Sequence, residues 1–210
     1  MEASKCIEEK IKKIASEIEP ELIQIRHTLH QHPELGIDLP QTHDIIAGEL
    51  KKIPGLEITE HMAGGSGIVA LMHGKKDTGK NILLRADIDA LPIEEPGEYE
   101  YKSQNHGQMH ACGHDGHATW IIGAAKILSE LRDEFGGTVK FVFQPGEEVG
   151  KGADTLIHED KVLENPKVDM AFAAHGWPSV ESGKIGIARR YAFGCVGGFK
   201  IKIIGKKGHA

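Results

Sequence analysis

The first fifty residues alternate apolar and charged positions with a helical period. Ile7, Ile11, Ile14, Ala15 and Ile18 recur three or four residues apart with charge on the other faces. That spacing predicts a helix over 5–19. Pro20 predicts a break, then a second helix through LIQIRHTLHQ. It should stop near His32-Pro33, since a residue before proline disfavours helix. Residues 41–52 predict a third helix, ending before Pro54-Gly55.

The texture then changes. GIVALMHG (67–74) and NILLRAD (81–87) are short apolar runs bounded by Gly, Lys and Asp, and read as buried strands. TVKFVFQ (138–144) and VDMAFAAH (168–175) read the same way. Between the runs at 81–87 and 138–144, HATWIIGAAKILSELRDE (117–134) carries apolar residues at i, i+3, i+4 and i+7 and predicts a helix. Strands alternating with helices predict an α/β sheet covered by helices. Near the end, GGFKIKIIGKKGHA sets Phe199, Ile201 and Ile203 against Lys200 and Lys202. This period of two belongs to a half-exposed antiparallel strand, the opening of a second domain. Glycines in RRYAFGCVGG put the boundary near 188–197, giving a first domain over 1–190 and a second over 191–210.

Three predicted strands end on chemistry. NILLRAD delivers Asp87 and then Asp89, TVKFVFQ leads through Pro145-Gly146 to Glu147-Glu148, and VDMAFAAH ends at His175. Ligands of open α/β sheets bind beyond the carboxyl ends of the strands, so these groups can converge. MHACGHDGH (109–117), just before the predicted helix, adds Cys112 and His114. Thiolate, imidazole and carboxylate together suit a divalent metal, with the thiolate favouring zinc over calcium or magnesium. Two ions about 3.5–4 Å apart would suit a hydrolysis, and a metal-bound water with a pKa near about 7 suits a carboxylate base. Adjacent glutamates point apart, so one of Glu147-Glu148 can bind metal while the other takes the proton.

Taken singly, each of these residues is ordinary: a hydrogen-bonded histidine, an inert cysteine, a solvated Glu-Glu pair, an aspartate capping a turn. The joint pattern is not. His106, His110, His117, His158 and Asp115 stay with the ordinary reading, although Asp115 could orient a ligand histidine. Cys6 and Cys195 read as structural. A thiol hydrolase using Cys112 as nucleophile and a non-catalytic metal-binding protein are the competing readings.

Composition sharpens this picture at a few points. With 210 residues and 40 % hydrophobic content, the chain can bury a core. A net charge of −6 disfavours nucleic acid as a partner, and no apolar run has membrane-spanning length. The first residues lack the apolar core of a signal peptide, and three scattered cysteines do not make a disulfide framework. A cytoplasmic setting is therefore expected. The 13 histidines are the compositional oddity, and histidine is the commonest metal ligand.

RHTLHQHPELG (26–36), RADIDALPIEE (85–95), MHACGHDGH, FQPGEE (143–148), AAHGWP (173–178) and GKKGHA (205–210) follow one another in order. In these motifs the chain resembles the amidohydrolase branch of the metal-dependent aminoacylase/carboxypeptidase family. That branch includes hippurate hydrolases, N-acetyl-diaminopimelate deacetylases and plant auxin-conjugate hydrolases. The resemblance implies an exopeptidase-like catalytic domain, α/β, with helices on both faces of a mostly parallel sheet. A small α+β lid and dimerisation domain would follow. It implies metal ligation by Cys112, His114, Glu148 and His175, with Glu147 as general base and Asp87 as an active-site aspartate supported by Asp89. His209 would sit on the lid and reach a partner subunit's site to hold substrate or oxyanion. The implied cofactors are two divalent ions per subunit, zinc or manganese before cobalt or nickel. The implied substrate is an N-acyl amino acid, or a small peptide if the chain is a carboxypeptidase or dipeptidase. A homodimer or higher oligomer would form through the lid.

Two departures qualify the resemblance. Members are nearly twice as long and carry a further ligand histidine towards the C-terminus, so the 210 residues are expected to be a weakly active or inactive fragment. Lys207 also stands where a glycine is usual before His209.

Overall fold

A computed structural model describes residues 2–190, 192, 194 and 199–205. His209, Lys207 and Cys195 lie outside the described residues. The chain divides into two units, Met1–Gly176 and Trp177–Ala210.

In the first unit a single helix, α1 (Glu2–Gln31), runs straight through Pro20. The expected break is absent. Proline removes one backbone hydrogen bond, but the apolar face continues across it. Ile18, Leu22, Ile25 and Leu29 stay in phase, and Ile25 and Leu29 are buried in the main core. Helix α2 (Pro40–Lys51) starts on proline at its first turn. The Glu34 carboxylate takes its leading N–H groups, Gln41 at 3.3 Å and Thr42 at 2.8 Å, where the helix dipole favours an anion. Helix α3 (His114–Glu130) begins three residues before its predicted start. A one-turn 3-10 segment, Arg132–Glu134, follows it. A short helix, α4 (Gly152–His158), was not legible in the sequence.

The sheet has five strands, β1 (Leu56–Met62), β2 (Gly67–His73), β3 (Ile82–Asp87), β4 (Thr138–Gln144) and β5 (Met170–Ala173), in the order β1-β2-β4-β3-β5. Strands β3, β4 and β5 are parallel, whereas β1–β2 and β2–β4 are antiparallel. The sheet is therefore mixed, with its parallel half carrying the chemistry. Alternate residues separate the two faces. Ile68, Ala70, Met72, Phe141 and Phe143 join α1, α2 and α3 in the main core. Val69, Leu83 and Val142 face the other way, with Leu156 of α4. Helices thus cover both faces, as expected.

Lys140 sits inside the all-buried β4, only 3 % exposed. Its ammonium donates to the carbonyls of Val162, Glu164 and Pro166 at 2.7, 2.8 and 3.3 Å. A buried charge needs such partners, and burial lowers its pKa. Strand β5 differs from the buried strand expected: among the described residues it pairs with β3 alone, and all four of its residues are exposed. Among the described residues no helix is long and apolar enough to cross a membrane.

In the second unit, Val180 and Lys184 close turns onto the carbonyls of Trp177 and Glu181. Residues 199–205 form no strand, contrary to the period-two expectation, and Phe199, Ile201 and Ile203 are exposed. A strand needs a ladder of partners, and no pairing to this segment occurs among the described residues.

Candidate metal centre

Because β3, β4 and β5 run parallel, their carboxyl ends share one edge of the sheet, and the residues that follow them are delivered there. Asp87 is the last residue of β3 and is 1 % exposed. After β4, Gly146 turns the chain at φ +67°, where a Cβ would meet Ile37 at 2.8 Å. Only glycine passes both tests, and the turn presents Glu147 and Glu148. Asp89, also 1 % exposed, fixes that pair. Its two oxygens accept the backbone N–H of Glu147 at 3.0 Å and of Glu148 at 3.1 Å. Its support thus goes to the glutamate pair. From the other side, Gly113 adopts a left-handed φ of 83° and turns the Cys112 loop into α3, so that His114 opens the helix.

Cys112 Sγ lies 3.5 Å from His175 Nε2. His175 Nδ1 donates to the Gly176 carbonyl at 2.7 Å, which turns Nε2 towards the thiol. The sulfur, one His114 nitrogen and one His175 nitrogen all lie within 4.8 Å of one another. So do ligand atoms of His114, Glu147 and Glu148, and those of Asp87, His114 and His117. Such spacings suit ions with bonds of about 2.0–2.3 Å.

His114 is the hub of all three groups and the most telling side chain. It is 1 % exposed, yet among the described residues neither ring nitrogen has a hydrogen-bond partner. Its neighbours stand just out of range: Asp89 at 3.6 Å from Nδ1, and Asp87 at 3.6 Å and Glu148 at 3.8 Å from Nε2. A buried polar atom left unpaired costs about 1–3 kcal/mol, and a cation on Nε2 would remove that cost. The donor set of thiol, imidazoles and carboxylates fits a divalent metal.

The electrostatics agree. Burial and the carboxylates of Glu148, Asp87 and Glu147 push the Cys112 thiol up to about 11. Burial and the nearby Glu147 and Asp89 raise Glu148 against the pull of His114. Burial opposes charge on His114, but Asp89 and Asp87 raise its pKa overall. Asp87 goes the other way. Burial would raise it, yet the His117 hydrogen bond, Arg85 and His114 bring it down to about 2. The pocket holds surplus negative charge that a cation would neutralise. A thiol raised to about 11 is a poor unassisted nucleophile, which counts against a thiol hydrolase.

Seven expected site residues therefore gather here: Asp87, Asp89, Cys112, His114, Glu147, Glu148 and His175. His209 lies outside the described residues. His106 and His158 are exposed and pair with Glu94 and Asp154, the ordinary reading. Cys6 is exposed on α1. Asp115 does not orient a ligand histidine. It accepts from Arg26 Nε at 3.0 Å and contacts His30 Nδ1 at 2.9 Å, while His30 Nε2 reaches Glu95 at 2.8 Å. His117, set aside in the sequence, lies at the site, with Nδ1 2.5 Å from Asp87 and Nε2 accepting the Gly176 N–H at 2.9 Å. Its place one helical turn after Gly113 was the available signal.

An α/β sheet whose parallel edge gathers this donor set defines a candidate metallohydrolase domain. The model of peptidase family M20/M25/M40 matches residues 83–202, more than half of the chain, and the chain belongs to that family. It is 37 % identical over 201 residues to an N-acyl-L-amino acid amidohydrolase of Geobacillus stearothermophilus, covering 96 % of this chain and 53 % of that protein. It is 38 % identical over 203 residues to thermostable carboxypeptidase 2 of Saccharolobus solfataricus, covering 96 % and 50 %. The crystal structure of the Bacillus subtilis YXEP protein, described as a dinuclear metal binding peptidase, superposes with a TM-score of 0.75 at 39 % identity. That match covers 84 % of this chain and 47 % of the other. The chain thus spans about half the length of the relatives it matches.

Proposed function

We propose that the chain carries the catalytic part of a metal-dependent amidohydrolase that cleaves N-acyl amino acids into a carboxylic acid and an amino acid. The observation that carries this reading is the buried, unpartnered His114 within ligand reach of Cys112, His175 and Glu148, beside a second carboxylate, Glu147.

In this reading Cys112, His114, Glu148 and His175 hold two divalent ions, zinc or manganese first and cobalt or nickel next. Bound there, the ions lower the pKa of an attacking water and polarise the scissile carbonyl. Glu147, the more exposed of the glutamates, takes the proton from that water and delivers it to the leaving nitrogen. Asp89 holds both glutamates by their backbone. Asp87 anchors the buried side of the site as a carboxylate. Residues from about 191 open a lid and dimerisation domain, and its His209 reaches the partner subunit's site to donate to the oxyanion.

A second reading, a metallo-carboxypeptidase or dipeptidase, is favoured by the likeness to the Saccharolobus carboxypeptidase. The chemistry is the same, since the leaving group is an amino acid in both cases and only the acyl part differs. Release of free amine by the full-length protein from N-acetyl amino acids, N-benzoyl amino acids and dipeptides separates the two. EDTA should abolish turnover and added metal restore it, while Glu147→Ala should stop turnover with metal content unchanged. Turnover that survives EDTA, or that survives Glu147→Ala, contradicts the proposal.

A further inference from the structure

We infer that His117 is a positioning residue of this centre, a neutral strut between two strand ends, and not a metal ligand. The inference rests on the reading of Asp87 and His175 as members of the site. By distance alone His117 qualifies as a ligand, since it forms one of the three close groups with Asp87 and His114. Its hydrogen bonds exclude that role. The Gly176 backbone N–H can only donate, and it points at His117 Nε2 at 2.9 Å. Nε2 must therefore offer its lone pair to the peptide, and the ring proton sits on Nδ1. That proton is directed at Asp87 Oδ1, 2.5 Å away. Both nitrogens are committed, and no lone pair is left for an ion.

The consequence is positional. His117 is 2 % exposed on the first turn of α3. One edge of its ring holds the carboxylate that ends β3, and the other holds the peptide directly after His175. The ring also packs edge-on against His175, with centroids 4.6 Å apart at 60°. Arg85 Nη1 secures the other Asp87 oxygen at 2.8 Å, so Asp87 is fixed from two sides. His117 thereby couples the α3 terminus to the segment that sets the His175 ring. Outer partners of this kind typically change metal affinity by about 10–100-fold when removed.

Three substitutions dissect the strut. His117→Asn puts an amide N–H near the Nδ1 position and keeps the bond to Asp87. His117→Gln puts a carbonyl near the Nε2 position and keeps the acceptor for Gly176. His117→Phe loses both. In the full-length protein, cobalt affinity measured by chelator competition should fall by about 10–100-fold for the Phe variant, with the Asn and Gln variants in between. At saturating cobalt the thiolate-to-metal and d–d absorption bands should keep their wild-type positions, because the ligand set is intact. Long-range proton–nitrogen NMR of the metal-free wild-type protein should show His117 protonated on Nδ1, a readout that needs no variant to fold.

An Nε2-protonated ring, shifted bands with one ion lost, or Phe-variant affinity within twofold of wild type overturns the inference. Failure of the wild-type protein to bind cobalt would instead overturn the proposed function, so the two are separable.

Discussion

Asp89 offers the sharpest perturbation of the site, because its buried carboxylate holds both glutamates by their backbone. Asp89→Asn preserves shape and volume but leaves one acceptor oxygen for the two N–H groups now received at 3.0 and 3.1 Å. The amide nitrogen then faces a backbone donor with nothing to accept. A hydrogen bond to a charged group contributes about 1.5–3 kcal/mol, and an orphaned buried donor adds to the loss. Carried by the Glu147-Glu148 turn, that energy corresponds to about a 10–150-fold change, at 1.4 kcal/mol per tenfold. Metal affinity by chelator competition and kcat/KM for amine release should both fall by that factor in the full-length protein. Chemical denaturation of the same samples separates loop displacement from loss of folding. Values within twofold of wild type in both measurements would refute the reasoning.

The remaining expectations concern the frame. Phe141→Ala, at a fully buried position in the main core, should lower the unfolding free energy by about 3–5 kcal/mol in urea titrations. Lys140→Met removes the donor from three carbonyls. It should cost at least about 2 kcal/mol in the same assay, and an unchanged midpoint would contradict a stabilising role for these three hydrogen bonds. His30 sits between Asp115 and Glu95. Burial opposes its charge, but the two carboxylates raise its pKa above 6.5. Its contribution to stability is therefore complete below pH 6.5 and is lost as pH rises through the raised value. His30→Gln should flatten stability against pH across that window in the metal-free protein, and an unaltered slope would contradict it.

Local pattern carried much of the fold. The apolar runs at 67–74, 81–87 and 138–144 became β2, β3 and β4, because a strand buried on both faces reads as continuous apolar sequence. Asp87, Asp89, Glu147, Glu148 and His175 were legible for a related reason: they lie at or just beyond strand ends, and parallel strands bring their ends together. Cys112 and His114 were legible from the MHACGHDGH run at the start of α3. Long-range compensation was not legible. Pro20 is tolerated because the stripe from Ile18 to Leu29 has a partner in α3, which no local rule reports. The ring of His30 meets a carboxylate 85 residues away, and His117 meets one 30 residues away. The position of His117 one turn into α3 points to the site, but neither flanking sequence announces the carboxylate partner. Strand β1 alternates Leu56, Ile58 and Met62 with polar residues, but Glu60 falls on the apolar side of that period and blurs the strand signal. The exposure of β5 follows from its place at the sheet edge, a property of strand order and not of VDMAFAAH itself.

Whether Cys112, His114, Glu148 and His175 together grip cations decides the rest. Anomalous diffraction from crystals of the full-length protein loaded with zinc or manganese tests this directly. Peaks are expected about 2.0–2.3 Å from the Cys112 sulfur and from ring nitrogens of His114 and His175, with Glu148 oxygen at about 2.0–2.2 Å. A fully loaded crystal with no peak bonded to Cys112 or His114 would contradict it.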